Sequence, residues 1–156
     1  QGNGSGYRDD SITFNHVMTA LTTTKPNLLL VNFKEPDYSG HTGNWSNYLN
    51  GIKKIDEYTY QIWQYLNTDN HYKGKTTFIF TNDHGRHLGN GFQHHGDDCM
   101  GCRHILLYAQ GPDFKKGMLN AQHASLVDLH ATLLQLLHIN NSNSEGHVMM
   151  SLFNNH

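Results

Sequence analysis

TTFIFTNDHG, residues 76–85, is an apolar run that stops abruptly at an adjacent aspartate and histidine, Asp83 and His84, followed by Gly85. Thr76, Thr77, Phe78, Ile79 and Phe80 are β-branched or aromatic, and a near-continuous run of such residues suits a parallel strand covered by helices on both faces. Ligand sites in open α/β sheets lie beyond the carboxyl ends of the strands, which is where Asp83 and His84 stand. A plain polar turn would also use Asn82, Asp83 and Gly85. What separates the two readings is a second strand that ends in the same chemistry.

That second strand is LLLVNF, residues 28–33, followed by KEPDYSGH, in which Asp37 and His41 stand four residues apart. Carboxylate oxygen and imidazole nitrogen are the usual ligands of zinc and similar divalent ions, and three protein ligands with an open position mark a catalytic site. Two strand ends thus offer two Asp/His pairs. If the strands are neighbours, the pairs suit two ions about 3.5–4 Å apart clamping one phosphoryl or similar group.

Composition sets the outer bounds. A chain of 156 residues suits one domain, and 37% hydrophobic residues with 15 glycines is ordinary for a globular protein with a sizeable core. Lys plus Arg is 11 and Asp plus Glu is 13, a formal charge of −2 that argues against a surface coating nucleic acid. No apolar run approaches the length of a membrane span and no signal peptide is recognisable; QGNGSG, residues 1–6, looks like the middle of a loop. Thirteen histidines are the one anomaly and favour metal or proton-transfer chemistry. Cys99 and Cys102 form a CxxC among Gly96, Asp97, Asp98 and Gly101, in a loop, whereas a thioredoxin-type pair opens a helix after a strand. A local disulfide or a thiol pair bracing that loop is the favoured reading. A structural zinc shared with His94 or His95 is the other, because one CxxC alone is a weak zinc signal.

The remaining periodicities frame these motifs. Residues 11–24 read as a helix with Asp10 or Ser11 as N-cap and Ile12, Val17, Met18 and Leu21 as its apolar stripe; Pro26 stops it. Asn44 caps a long helix to about Leu66, with Trp45, Tyr48, Leu49, Ile52, Ile55, Ile62, Trp63 and Leu66 on its core face. Residues 86–100, glycine-rich and carrying His87, His94 and His95, form a long loop of the kind that is more often functional than idle. HILLYA, residues 104–109, is a third strand, with Arg103 just before it. Ser125 then opens a leucine-rich helix in which Asp128 completes a capping box. Strands joined by long helical crossovers indicate an α/β fold with a largely parallel sheet. Three strands shield both faces poorly, so the sheet is expected to be incomplete in this chain.

Asp37-Tyr38-Ser39-Gly40-His41, then Thr81-Asn82-Asp83-His84-Gly85, then His95-Gly96 ahead of Arg103 and a strand ending in Gly111-Pro112, in this order, resemble the alkaline phosphatase superfamily. That superfamily includes nucleotide pyrophosphatases/phosphodiesterases, cofactor-independent phosphoglycerate mutases, phosphonate hydrolases and sulfatases. The helix from Ser125 and Glu145-Gly146-His147 look like its carboxyl-terminal helix and following glycine turn, so the resemblance covers roughly residues 27–146. It implies an alkaline-phosphatase-like α/β domain with a partial, mostly parallel sheet flanked by helices, of which residues 1–156 are the carboxyl-terminal part. Carried over residue by residue, Asp37, His41 and His95 hold one divalent metal ion, with His94 as the competitor of His95, and Asp83 and His84 hold the other. Zinc is the implied metal and manganese the alternative. Arg103 assists an anionic substrate or braces the loop. The superfamily's nucleophile, a Ser or Thr at a helix start, and a further aspartate have no counterpart before Asn27, where Asp9 and Asp10 precede a helix instead of following an apolar strand. The expectation is a periplasmic or extracellular two-metal hydrolase of phosphate mono- or diesters on a phosphorylated small molecule, its nucleophile supplied by a missing amino-terminal half. The alternatives are a sulfatase, a phosphoryl-transfer enzyme of the mutase or transferase kind, and a non-catalytic metal-binding domain.

Overall fold

The computed structural model describes residues 8–117, 123–140 and 144–154, which divide into two compact units. The first comprises the described residues through Asp69 together with His84–His104; the second comprises Asn70–Asp83 and the described residues from Ile105 onward.

In the first unit Asp9 opens helix α1 (Asp10–Thr19), its carboxylate accepting from the Ser11 N–H at 2.8 Å and the Ser11 hydroxyl at 2.7 Å. The cap is therefore Asp9, which leaves Asp10 inside the helix and buried. A π-helical turn, Ala20–Thr24, continues α1 and ends at Lys25 in the left-handed conformation, φ 49°, directly before Pro26, where the α conformation is disfavoured. Val17 and Leu21 are buried, whereas Ile12 of the expected stripe is exposed. Helix α2 (Asp37–His41) is short. Helix α3 (Trp45–Thr68) starts at Asn44, whose side chain accepts the Asn47 N–H at 3.0 Å. Its buried residues, Gly51, Ile55, Tyr58, Ile62 and Leu66, recur at steps of three and four and form one stripe. Trp45, Leu49 and Ile52 keep the same helical spacing on another face, and that face is exposed. Tyr58 stacks on Phe14 of α1 at 4.6 Å and on Phe33 at 6.0 Å between ring centroids. Helix α4 (Met100–Arg103) is one turn capped by Cys99.

The strand expected over residues 28–33 does not form among the described residues: the segment pairs with none of them in a ladder, and Leu28 and Leu30 are 61% and 91% exposed. A β-branched or leucine-rich run becomes a strand only when a neighbour satisfies its N–H and C=O groups.

In the second unit β1 (Phe78–Thr81) pairs with β2 (Leu107–Gln110), Phe78 opposite Gln110 and Thr81 opposite Leu107. The α/β class stands, as a small part of such a sheet, but this pairing is antiparallel and not parallel. Residues 82–106 leave β1 and return as an excursion of loops and short turns, and antiparallel neighbours need no helical crossover. The Thr81 hydroxyl donates to the Leu106 carbonyl at 2.8 Å and the Asn82 side-chain oxygen accepts the Leu106 N–H at 2.7 Å, locking the open end of the pair. Helix α5 (Leu126–Leu136) carries the expected capping box: Asp128 accepts the Ser125 N–H and hydroxyl at 2.7 and 2.8 Å, and its other oxygen accepts the His147 N–H at 2.8 Å. Ala131 and Thr132 are buried on α5, whereas Leu126, Val127 and Leu137 are exposed. A Cβ on Gly146 would overlap the Val127 carbonyl, which explains a glycine after this helix.

Candidate metal centre

The centre lies in the first unit and is set up by Asp10. Its buried carboxylate accepts the N–H groups of Lys34 and Glu35 at 2.9 and 3.1 Å. Burial pushes this carboxyl above the usual carboxylate range, against the pull of those two donors. Glu35 passes the constraint on, accepting the Ser39 N–H at 3.0 Å in α2. Asp37 and His41 are the first and last residues of α2, and their i,i+4 spacing puts them on one face. His41 Nε2 stands 3.4 Å from Asp37 Oδ2.

Residues 84–95 supply the other side. The Gly85 N–H donates to the Cys102 carbonyl at 2.8 Å. A Cβ at Gly85 would overlap the Gly101 carbonyl and come 2.8 Å from the His104 carbonyl, so only glycine fits there. Arg86, 7% exposed at its side chain, reaches Asp37. Its guanidinium donates to the Asp37 carboxylate, to the Asp37 carbonyl at 2.7 Å and to the Phe92 carbonyl at 3.1 Å. It passes Gly40, where a Cβ would lie 2.5 Å from the guanidinium carbon. His84 Nδ1 lies 2.9 Å from the Gly85 carbonyl, which assigns it the ring N–H, and Nε2 is 3.8 Å from Asp37 Oδ1. His95 stacks on His84 at 3.9 Å, and its Nε2 is 3.5 Å from Asp37 Oδ1 and 3.0 Å from His41 Nε2. Burial, then the neighbouring His84, lower the His95 imidazole below its ordinary value, with Asp37 opposing them. A neutral imidazole presents a lone pair, the form that binds a metal ion.

Asp37, His41 and His95 each bring one ligand atom, all within 4.8 Å of one another. One carboxylate, two imidazoles and an open side fit the donor set of a divalent ion in a catalytic site. His95, not the exposed His94, is the histidine beside Asp37. His84 flanks the group. Asp83 closes the first segment of the second unit, beyond β1, and is not in this group; the boundary between the units falls between Asp83 and His84. Arg103 is exposed at the end of α4. The guanidinium against Asp37 is that of Arg86, which sequence reasoning passed over as the start of a loop although it directly follows Asp83-His84-Gly85. Asp10 was also missed; its signal was a second carboxylate beside Asp9 at a helix start that needs only one.

A carboxylate with two imidazoles is a donor set that suits a divalent ion. Residues 8–141 match the Metalloenzyme superfamily, and the chain belongs to it. The alkaline-phosphatase-like α/β class and binding of divalent metal follow from that membership. The chain is similar to 2,3-bisphosphoglycerate-independent phosphoglycerate mutase of Gracilaria tenuistipitata var. liui, 26% identical over 125 residues, which are 79% of this chain and 23% of the relative. The chain therefore spans under a quarter of the length of that curated relative. No solved structure matches. Among the described residues no helix is long and apolar enough to cross a membrane.

Proposed function

We propose that the chain carries the metal-binding part of an active site that hydrolyses phosphate mono- or diesters with two divalent ions, zinc in preference to manganese. The observation that carries this reading is the convergence of Asp37, His41 and His95 within 4.8 Å in a member of the metalloenzyme superfamily. These three would hold one ion, and Asp83 with His84 the other. When bound, the ions supply Lewis-acid stabilisation to the attacking and leaving oxygens of a phosphoryl group.

The chain's own residues prepare that site. Arg86 grips Asp37 by carbonyl and carboxylate together, so the carboxylate cannot swing away from His41. Burial, with His84 beside it, lowers the His95 imidazole below its ordinary value and so favours the neutral form that binds a metal ion. The Gly85 carbonyl fixes the tautomer of His84 and leaves Nε2 to face Asp37. The nucleophile is proposed to come from an amino-terminal part of a longer, exported polypeptide. A second reading, transfer of the phosphoryl group to another hydroxyl, is favoured by the similarity to a phosphoglycerate mutase.

Elemental analysis of the dialysed chain and of Asp37→Asn and His95→Ala tests the site. Near-stoichiometric zinc or manganese, diminished in both variants, is the expected result; an unchanged metal content in His95→Ala refutes the assignment. In the longer polypeptide, phosphate released to water from a phosphate ester supports hydrolysis. Phosphate recovered on an added hydroxyl acceptor supports transfer.

A further inference from the structure

We propose that His87, Asp97, Cys99 and Cys102 form a second, structural zinc site, which clamps the loop that delivers His95. The four residues bring one ligand atom each, all within 4.8 Å of one another. His87 Nε2 lies 2.8 Å from Asp97 Oδ2, and Cys99 Sγ lies 2.9 Å from Cys102 Sγ; both cysteines are free thiols. The partners differ from those the CxxC spacing suggests in sequence, where His94 and His95 are nearer.

The backbone already holds the four groups in place. Asp97 Oδ1 accepts the Cys99 N–H at 2.9 Å, which turns Oδ2 toward His87. Cys99 Sγ accepts the Cys102 N–H at 3.1 Å as the cap of α4, which sets the two sulfurs side by side. The His87 N–H donates to the His94 carbonyl at 3.1 Å. Two sulfurs, an imidazole and a carboxylate make a closed tetrahedral set for zinc, with bonds of about 2.3 Å to sulfur and about 2.0–2.1 Å to nitrogen and oxygen. Tetrahedral edges built on those bonds are roughly 3.3–3.8 Å, so the two close pairs need to spread by less than about 1 Å to admit the ion. Asp97 is exposed and Cys102 buried, so one side of the group is open to solvent while the other is anchored.

The position in the chain gives the site its role. Between His84 and His104, His84, Arg86 and His95 serve the Asp37 cluster, while His87, Asp97, Cys99 and Cys102 belong to the sulfur-bearing group. His87 and Asp97 bracket His95 on both sides, so an ion here closes the loop that carries it and removes conformations in which His95 strays from Asp37. Without an open coordination position, such an ion stabilises structure and performs no catalysis.

The two sites differ in ligand chemistry, and the test uses that difference. The full chain, reduced with a phosphine and loaded with cobalt(II), is compared as wild type, Asp37→Asn, Cys102→Ser and His87→Ala, each checked for folding by circular dichroism. Thiolate ligation gives a near-ultraviolet sulfur-to-cobalt charge-transfer band, which the sulfur-free Asp37 cluster cannot produce. The expected result is a band in the wild type that saturates at one cobalt per chain, is displaced by zinc, persists in Asp37→Asn, weakens in His87→Ala and disappears in Cys102→Ser. The wild-type and Asp37→Asn titrations decide the outcome by themselves, so a Cys102→Ser or His87→Ala chain that fails to fold leaves the test intact. No charge-transfer band in the folded, reduced wild type overturns the proposal. A Cys99–Cys102 disulfide that re-forms in air with zinc in excess over every proposed site overturns it as well.

Discussion

Replacing Arg86 by methionine keeps most of the aliphatic stem and removes every donor that holds Asp37. The lost interactions are the ion pair with the Asp37 carboxylate, the hydrogen bonds to the Asp37 and Phe92 carbonyls at 2.7 and 3.1 Å, and the approach of the guanidinium to the Tyr48 ring at 5.8 Å. Removing one partner of a buried pair costs about 3–5 kcal/mol, because the other charge is left uncompensated. The Asp37 side chain is 32% exposed, so water recovers part of that loss, and the expected destabilisation is about 2–4 kcal/mol. In a chain of this size about 1 kcal/mol moves Tm by about 2–4 °C, so the expected fall is about 4–16 °C. Tryptophan fluorescence during urea and thermal unfolding reads the right unit, since both tryptophans, Trp45 and Trp63, lie in α3. Trp45 also packs 5.0 Å from Phe92, whose carbonyl Arg86 engages. Arg86→Lys keeps the charge but not the fork and should fall between the two. If Arg86→Met unfolds within about 0.5 kcal/mol of the wild type, the range of an ordinary surface change, the guanidinium does not hold the centre together.

Gly85→Ala should destabilise the first unit by about 1–3 kcal/mol and reduce bound metal, because the obstructing Gly101 and His104 carbonyls are backbone and cannot yield; wild-type fluorescence unfolding and metal content together would contradict this. Asp10→Asn leaves one of two buried N–H donors poorly matched and should cost about 1–3 kcal/mol while weakening metal binding, although Asp10 is no ligand. Since burial raises the Asp10 carboxyl, its contribution is full below the unfolded value and is lost as pH rises through the raised folded value, so urea midpoints of wild type and variant should diverge with falling pH in the acidic range. Asp128 has the opposite sign: hydrogen bonds from the His147 N–H and from Ser125 hold it below the usual range, so its stabilisation is present above the unfolded value and lost as pH falls through the depressed one. Acid unfolding followed by circular dichroism should flatten in Asp128→Asn, and superimposable profiles would exclude the effect.

What the sequence disclosed was local. Asn44 and the Ser125/Asp128 box cap their helices by reaching three residues, and Asp37 and His41 share a helical face because they are four apart. Long-range partners were hidden. Arg86 meets Asp37 across 49 positions and Asp10 meets Lys34 across 24, so neither pairing leaves a periodicity to read. The antiparallel register of Phe78–Thr81 against Leu107–Gln110 is likewise a tertiary outcome, and the leucines of residues 28–30 show that strand-forming composition without a neighbour makes no strand. On α3 the repeat of apolar residues was read correctly as helical, yet two faces carry it and burial selected the one through Ile55, Tyr58 and Ile62.

A guanidinium stands within the cluster proposed to hold a cation, and the bonds at Asp37 give it a role there. Arg86 bonds Oδ1, while Oδ2 stands 3.4 Å from His41 Nε2. Oδ1 also faces His95 and His84 at 3.5 and 3.8 Å, so the guanidinium fixes the carboxylate with an imidazole against each of its oxygens. The charge of Arg86 offsets that of Asp37, so in the proposed site the imidazoles of His41 and His95 would supply most of the ion's affinity, and burial, by lowering the His95 imidazole below its ordinary value, favours the ligating form. Such a centre depends on orientation more than on net charge. That dependence is why Gly85, which lets the chain approach the Gly101 and His104 carbonyls, and Asp10, which pins Lys34 and Glu35, matter to the centre without touching the ion.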